Sequence, residues 1–129
     1  MKPYRILVTG SRDWNDPLAI QGVLQDIAAE HPDDGGLVLV HGACRTGADA
    51  IAHDWAVGFG ALIEAHPAAW WKYGRVAGPR RNAEMVALGA DVCLAFIRDG
   101  SRGASHTADL AEKARIPTRR FTATEEAQR

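Results

Sequence analysis

The stretch VLVHGACRTGADAIAHDWA, residues 38–56, decides the reading of the fold. A β-branched apolar run ends at His41-Gly42, and a short polar loop with Arg45 and Thr46 reaches Gly47. A helix-like pattern through Ala48, Ile51, Ala52, Trp55 and Ala56 follows at once. Strand, tight loop, helix is the repeating step of a parallel α/β sheet. The loop has two readings. It is an ordinary turn whose glycines serve packing, or it holds an anion. Glycine lets backbone approach closely and take positive φ. Amides at a helix start, with the helix dipole behind them, attract negative charge. Thr46 adds a hydroxyl and Arg45 a charged fork. The loop is not a Walker motif. Its G-x-x-x-x-G spacing is present, but Ala48-Asp49 stands where Lys-Ser/Thr belongs.

The same grammar extends in both directions. YRILVT (4–9) reads as a buried strand ending at Gly10, and residues 17–30 carry apolar side chains at helical spacing behind Pro17. LVLV (37–40) is a second strand, the helix from Gly47 stops near Gly58–Gly60, and ALIEA (61–65) is a third strand. HPAAWWKYGRVAG is a long polar-aromatic connection. PRRNAEMVALG is a helix, ADVCLAFI (90–97) the fourth strand, ASHTADLAEKARI a helix and PTRRFT an edge strand. The strands are continuous apolar runs, not alternating ones. The expected fold is therefore α/β and Rossmann-like, a mainly parallel sheet of about five strands with helices on both faces. One domain over residues 1–122 and a polar tail over 123–129 are expected.

Ligands of such sheets bind outside the carboxyl ends of the strands. The loops there are GSRDWND, HGACRTG, HPAAWWKYGRVAGPRRN and RDGSRG. Arg12, Arg45, Arg75, Arg80, Arg81, Arg98 and Arg102 all fall in them, seven of the chain's twelve arginines. Codon bias explains many arginines but not their gathering on one edge. That shared edge favours the ligand reading over the packing one.

Composition narrows the classes. The 129 residues are 47% hydrophobic and 24% charged, with a formal net charge of −1, so overall charge gives no nucleic-acid signal. No stretch approaches a membrane span, and the N-terminus does not read as a signal peptide. Cys44 and Cys93 make neither a disulfide framework nor a zinc knuckle, and a reducing cytoplasm is expected. The five histidines show no close ligand spacing, so neither a metal nor a cofactor is expected.

Several residues carry two readings each. Trp14, Trp70, Trp71 and Tyr73 either stack on a base or cover the core or a partner. Trp55, at apolar helical spacing, belongs to the core. Glu64 either grips a ribose or forms a salt bridge at the surface. Asp49 either touches ligand or braces Arg45. Cys44 is a plain small residue or a thiol of lowered pKa.

Taken together, VTGSRDW, VHGACRTGADAIAHDWA, AAWWKYGRVAGPRRNAEMV and GSRGASHTADLAEKARIP resemble the YspA-like, cpYpsA-related branch of the SLOG superfamily. The superfamily also holds the LOG phosphoribohydrolases and the DNA-processing protein DprA. The resemblance runs from Ile6 to about Pro117. It implies a Rossmann-like fold that senses or processes nucleotide-derived, ADP-ribose-like ligands, often in phage or mobile elements. Residue by residue, Gly10-Ser11-Arg12 matches the first glycine turn. His41-Gly42 and Gly47-Ala48-Asp49 match the second loop, and Arg81-Asn82 the arginine segment, with Arg80 as its near alternative. Gly100-Ser101-Arg102-Gly103-Ala104 matches the phosphate-binding G-G-x-G-T of LOG enzymes. LOG enzymes carry a catalytic Glu three residues on, where this chain has Thr107. A hydroxyl cannot replace that carboxylate as acid or base near neutral pH.

The expected ligand contacts are Gly10, Ser11, Arg12, His41, Gly42, Arg45, Thr46, Gly47, Asp49, Arg81, Asn82, Gly100, Ser101, Arg102, Gly103, Ala104 and Thr107. The expected function is binding of a phosphorylated, nucleotide-derived small molecule. One alternative is a nucleotide N-glycosidase in which Arg81 is catalytic with a carboxylate such as Glu84 or Asp49. Another is a DprA-like DNA-associated protein, against which the charge balance counts. The aromatic third loop and the dimers of LOG-like relatives imply a homodimer or a multiple of one, with the helix at 79–88 near the contact.

Overall fold

The computed structural model describes residues 2–32 and 35–123. Along them run β1 (Tyr4–Gly10), α1 (Pro17–Glu30), β2 (Leu37–His41), α2 (Gly47–Phe59) and β3 (Leu62–Ala65). Then follow α3 (Trp70–Tyr73), a 3-10 turn (Gly74–Val76), α4 (Ala77–Ala87), β4 (Val92–Arg98), α5 (Arg102–Lys113) and β5 (Thr118–Ala123). The five strands form one sheet in the order β3-β2-β1-β4-β5, every pair parallel. This is the Rossmann-like α/β arrangement expected from the sequence.

Alternation along the central strands sorts two cores. Ile6 and Val8 of β1 and Leu94 and Phe96 of β4 pack with Ile20, Leu24 and Ile27 of α1 and Ala48, Ala52 and Ala56 of α2. Leu7 and Cys93 face the other way, onto Met85 and Val86 of α4 and Ala111 of α5. The central strands are covered on both sides, which is why they read as unbroken apolar runs. Asp16 caps α1, its carboxylate accepting from the Ala19 amide at 3.2 Å, and Gly60 ends α2 in the left-handed region at φ 90°.

Most element ends shift by one to three residues from the sequence reading, and three of the differences have a local cause. The connection expected to be loop contains α3 and the 3-10 turn, because WWKY lacks a breaker until Gly74. Helix α4 begins at Ala77 rather than Pro79. Proline is tolerated there because first-turn amides need no intrahelical acceptor. Strand β5 extends to Ala123, whose carbonyl accepts from Asp99 N–H at 2.9 Å, so the sheet runs one residue past the expected domain end. The rest of the expected tail, 124–129, lies outside the described residues. Among the described residues, no helix is long and apolar enough to cross a membrane.

Candidate functional site

The chain builds β1, β2 and β3 outward on one side, then returns to place β4 against the free side of β1. The reversal puts a crevice beyond the carboxyl ends of β1 and β4. A cleft of about 950 Å³ opens there, lined from the loops after β1, β2, β3 and β4, from the middle of α4 and from the first turn of α5.

The first two loops are locked together. A Cβ at Gly10 would overlap Ala48 Cβ and lie 2.8 Å from the Phe96 carbonyl, so only glycine lets α2 and β4 close on the end of β1. At Gly47, φ is +70°, and a Cβ would run into the Ser11 carbonyl and the Arg12 backbone. That Ser11 carbonyl accepts from Ala48 N–H, and from Trp14 N–H, each at 3.2 Å. The Ser11 hydroxyl accepts from Arg98 N–H at 2.7 Å, tying the loop to β4 as well. The Asp49 carboxylate turns back from α2, and one oxygen, Oδ2, accepts from Gly42 N–H at 3.2 Å and Cys44 N–H at 3.3 Å. These loop amides and the α2 amide of Ala48 are thus satisfied within the protein, and Asp49 braces its own loop.

Arg81 seals the same loop from α4. Its Nη1 donates to the Gly42 carbonyl, and its Nε donates to Asn82 Oδ1 at 2.7 Å. A Cβ at Gly42 would sit 2.7 Å from Arg81 Nη1, so a side chain there would displace the guanidinium from this seat. Burial pushes the Asp49 carboxyl up to about 6, although the two amides and the positive charges of Arg81 and Arg12 pull the other way. Burial likewise lowers the Arg81 pKa, opposed by Asp49.

The β4 side differs. The side chain of Ser101, the N-cap of α5, makes no capping hydrogen bond, and Ser101, Gly103 and Ala104 line the cleft. The first-turn amides of α5 therefore open toward it with the dipole behind them. Arg98 donates from Nη1 to the Asp13 carbonyl at 3.0 Å and lies 3.5 Å from the Asp13 carboxylate and 3.7 Å from that of Asp99. Arg98 Nε is buried without a hydrogen-bond partner. Among the described residues, two of the three non-glycine residues at positive φ, Ala43 (61°) and Asp99 (52°), line this cleft.

Of the expected ligand contacts, Gly10, Arg12, Gly42, Arg45, Thr46, Asp49, Arg81, Asn82, Ser101, Gly103 and Ala104 converge on the cleft. Ser11 and Gly47 act beneath it, as above. Gly100 forms the turn before α5, at φ +67°, and Arg102 is exposed outside the cleft wall. Thr107 is fully buried, its hydroxyl donating to the Gly103 carbonyl at 3.3 Å. His41 is buried beneath the β2 loop and lines a smaller neighbouring pocket. Its Nδ1 accepts from Ala43 N–H at 2.9 Å, which fixes the proton on Nε2, 3.0 Å from His53 Nδ1. Burial, then His53 and His66, lowers its pKa to about 4. With both nitrogens so engaged, the histidine pair is a hydrogen-bonded brace.

Other expectations resolve as follows. Arg80 stacks over the Tyr73 ring at 4.0 Å, and neither Arg75 nor Glu84 lines the cleft. Glu64 is salt-bridged. Arg5 grips both its oxygens at 2.9 and 3.0 Å, His66 bonds it at 2.8 Å, and these contacts hold its carboxyl down to about 2. Trp14 is core, edge-on to Phe96. Trp55 is only half-buried, stacked on Phe59 with its N–H toward Gln25. The expected site lacked Thr9, Asp13, Ala43, Cys44, Pro67, Ala68, Trp70, Met85, Arg98 and Asp99, which also line the cleft. The sequence sets Arg98 among the edge arginines, Trp70 among the stacking candidates and Cys44 in the second loop without marking any of them as a contact, and the apolar spacing of Met85 signals core as readily as wall. Among the described residues, no three His, Cys, Asp or Glu side chains form a group that could hold a metal ion.

The family model described as YspA, cpYpsA-related SLOG family matches residues 4–73, which include the loops after β1 and β2. The Gene 61 protein of Mycobacterium phage D29 is 46% identical over 122 residues, covering 91% of this chain and 95% of that protein. No solved structure matches the chain significantly. On the family match and on this near full-length similarity, the chain belongs to the YspA, cpYpsA-related SLOG family.

Proposed function

We propose that the protein binds a nucleotide or nucleotide-derived phosphorylated ligand, ADP-ribose-like in character, and acts as its sensor or processing protein. One observation carries this reading: the uncapped start of α5, with Ser101, Gly103 and Ala104, opens into the cleft that also receives Arg12, Arg45 and Arg98. Helix-start amides and arginine forks are the donors that phosphate oxygens accept from. Similarity to a phage protein fits a phage or mobile-element setting, and a nucleotide ligand fits the cytoplasm.

Thermal denaturation with AMP, ADP, ADP-ribose and NAD tests the reading. A ligand at a hundred times its Kd stabilises the folded state by about 2.7 kcal/mol, a shift of several degrees for a domain of this size. If none of these compounds moves the transition at millimolar concentration, the proposal fails.

Asp49 supports a second reading, a nucleotide N-glycosidase. It is a carboxylate on the cleft wall whose pKa, about 6, suits proton transfer near neutrality. Adenine release from AMP or isopentenyl-AMP, followed by chromatography, separates the two. Turnover abolished by Asp49→Asn establishes the enzyme, and no release leaves the binding protein.

A further inference from the structure

We propose that Trp70 is the platform on which the base of the ligand stacks, so that the cleft takes a nucleotide base-first toward β3 and phosphate-first toward β4. This rests on the nucleotide-binding reading above and adds an orientation and a specificity to it.

Three of the four tryptophans are otherwise placed. Trp14 is core and Trp55 is stacked on Phe59. Trp71 is 88% exposed and is not part of the cleft wall. Trp70 lines the cleft and keeps half of its surface exposed. Tyr73, the other large ring of this segment, carries Arg80 over its face.

The seat of Trp70 is specific. The six-membered ring lies against Gly78 of α4, where a Cβ would stand 3.2 Å from Trp70 Cη2. Gly78 has no positive φ, so its backbone does not require glycine. What the missing side chain provides is room for the ring. Pro67 and Ala68, on the same loop after β3, add apolar side chains to the cleft wall. A flat aromatic surface beside apolar side chains suits the face of a base and offers a phosphate nothing.

The strand order supplies the polarity. Trp70 follows β3, and Ser101 and Gly103 follow β4, with β2 and β1 between. Arg12, on the loop after β1, and Arg45, on the loop after β2, belong to the same cleft wall, as does Asn82 of α4. An extended nucleotide, apolar at one end and anionic at the other, matches that polarity.

The test titrates AMP, GMP, CMP, UMP and ribose 5-phosphate by calorimetry into the wild type and into Trp70→Ala, Trp70→Phe and Gly78→Ala, with melting temperatures in parallel. Trp70→Ala should weaken the four nucleotides by roughly 5- to 150-fold, the usual worth of one base–aromatic stack, and leave ribose 5-phosphate unchanged. Trp70→Phe should restore most of the loss. Gly78→Ala should crowd the ring by a few tenths of an ångström and weaken nucleotides alone, by less than Trp70→Ala does. Equal loss for nucleotides and ribose 5-phosphate, or no loss for any nucleotide, overturns the platform while leaving phosphate binding intact. A wild type that binds none of the five probes overturns the platform, and one that binds neither ADP-ribose nor NAD as well overturns the function on which it rests.

Discussion

Replacing Asp49 by Asn should stabilise the protein at neutral pH, and the gain should vanish in acid. Both amide hydrogen bonds to Asp49 end on the single oxygen Oδ2, so an asparagine oxygen keeps both. What the substitution removes is a buried negative charge. The carboxyl stands at about 6 in the folded protein against an ordinary 3.8. That gap corresponds to about 3 kcal/mol. The sign follows from proton binding. Below pH 3.8 the group is neutral in both states and contributes no difference. As pH rises toward 6, the unfolded chain ionises first and gains stability relative to the fold. Above that both states are charged and the full penalty stands. The advantage of the variant over wild type should be about 1 kcal/mol at pH 4.5 and about 3 kcal/mol at pH 7. Urea denaturation at half-unit pH intervals, followed by tryptophan fluorescence, measures it, since Trp14 is buried in the fold. His41 and Glu64 also titrate in or below this range, but they are common to both proteins and cancel. A difference independent of pH, or a wild type that gains on the variant as pH rises, refutes the burial argument.

Other perturbations probe other parts. Gly47→Ala places a methyl against the Ser11 carbonyl at a positive φ and should destabilise by about 3 kcal/mol or more in the same assay; a cost under about 1 kcal/mol would mean the two loops do not interlock. Glu64→Gln removes a carboxyl held near 2 by Arg5, so the variant should lose stability above pH 4.5 and show a flatter acid limb between pH 4.5 and 2; an unchanged acid limb contradicts the salt-bridge assignment. Exposed Trp71, with Val76 and Leu88 nearby in sequence, leads us to propose a homodimer or a multiple of one. Light scattering should give twice the monomer mass or more for the wild type and a smaller species for Trp71→Ala, and a monomeric wild type removes the claim.

The central sheet was legible because burial on both faces writes itself as unbroken apolar runs. YRILVT, LVLV and ADVCLAFI carry that mark. The glycine loops were legible because close approach admits no side chain, and Gly10, Gly42 and Gly47 each meet a neighbour within it. The partners of those glycines were not legible. Gly42 answers to Arg81, thirty-nine residues away, and Ser11 to Arg98, eighty-seven away. Distances along the chain of that length carry no local pattern. The helical turn in WWKY escaped for a related reason. Its four residues bury none of their number, so no periodicity betrays them. Charge was misleading in one respect. Arginines gathered on one edge favoured a ligand as a set, yet Asp13 and Asp99 partly neutralise Arg98, and Arg80 turns to Tyr73. Counting charges by loop cannot tell which of them face each other.

The interlock of the first two loops divides the mouth of the cleft into a chassis and its fittings. Ser11, Gly47, Ala48 and the β1 end hold one another through contacts that leave no slack. Arg12, Arg45 and Thr46 project from this frame into solvent. Exchanging a fitting alters charge, reach or hydrogen-bonding at the mouth while the frame keeps its shape. Exchanging part of the chassis disturbs two loops at once, and with them the ends of β1 and β4. A fold wired in this way can be re-tooled for a different small molecule through three solvent-facing positions, without reopening the problem of how to fold.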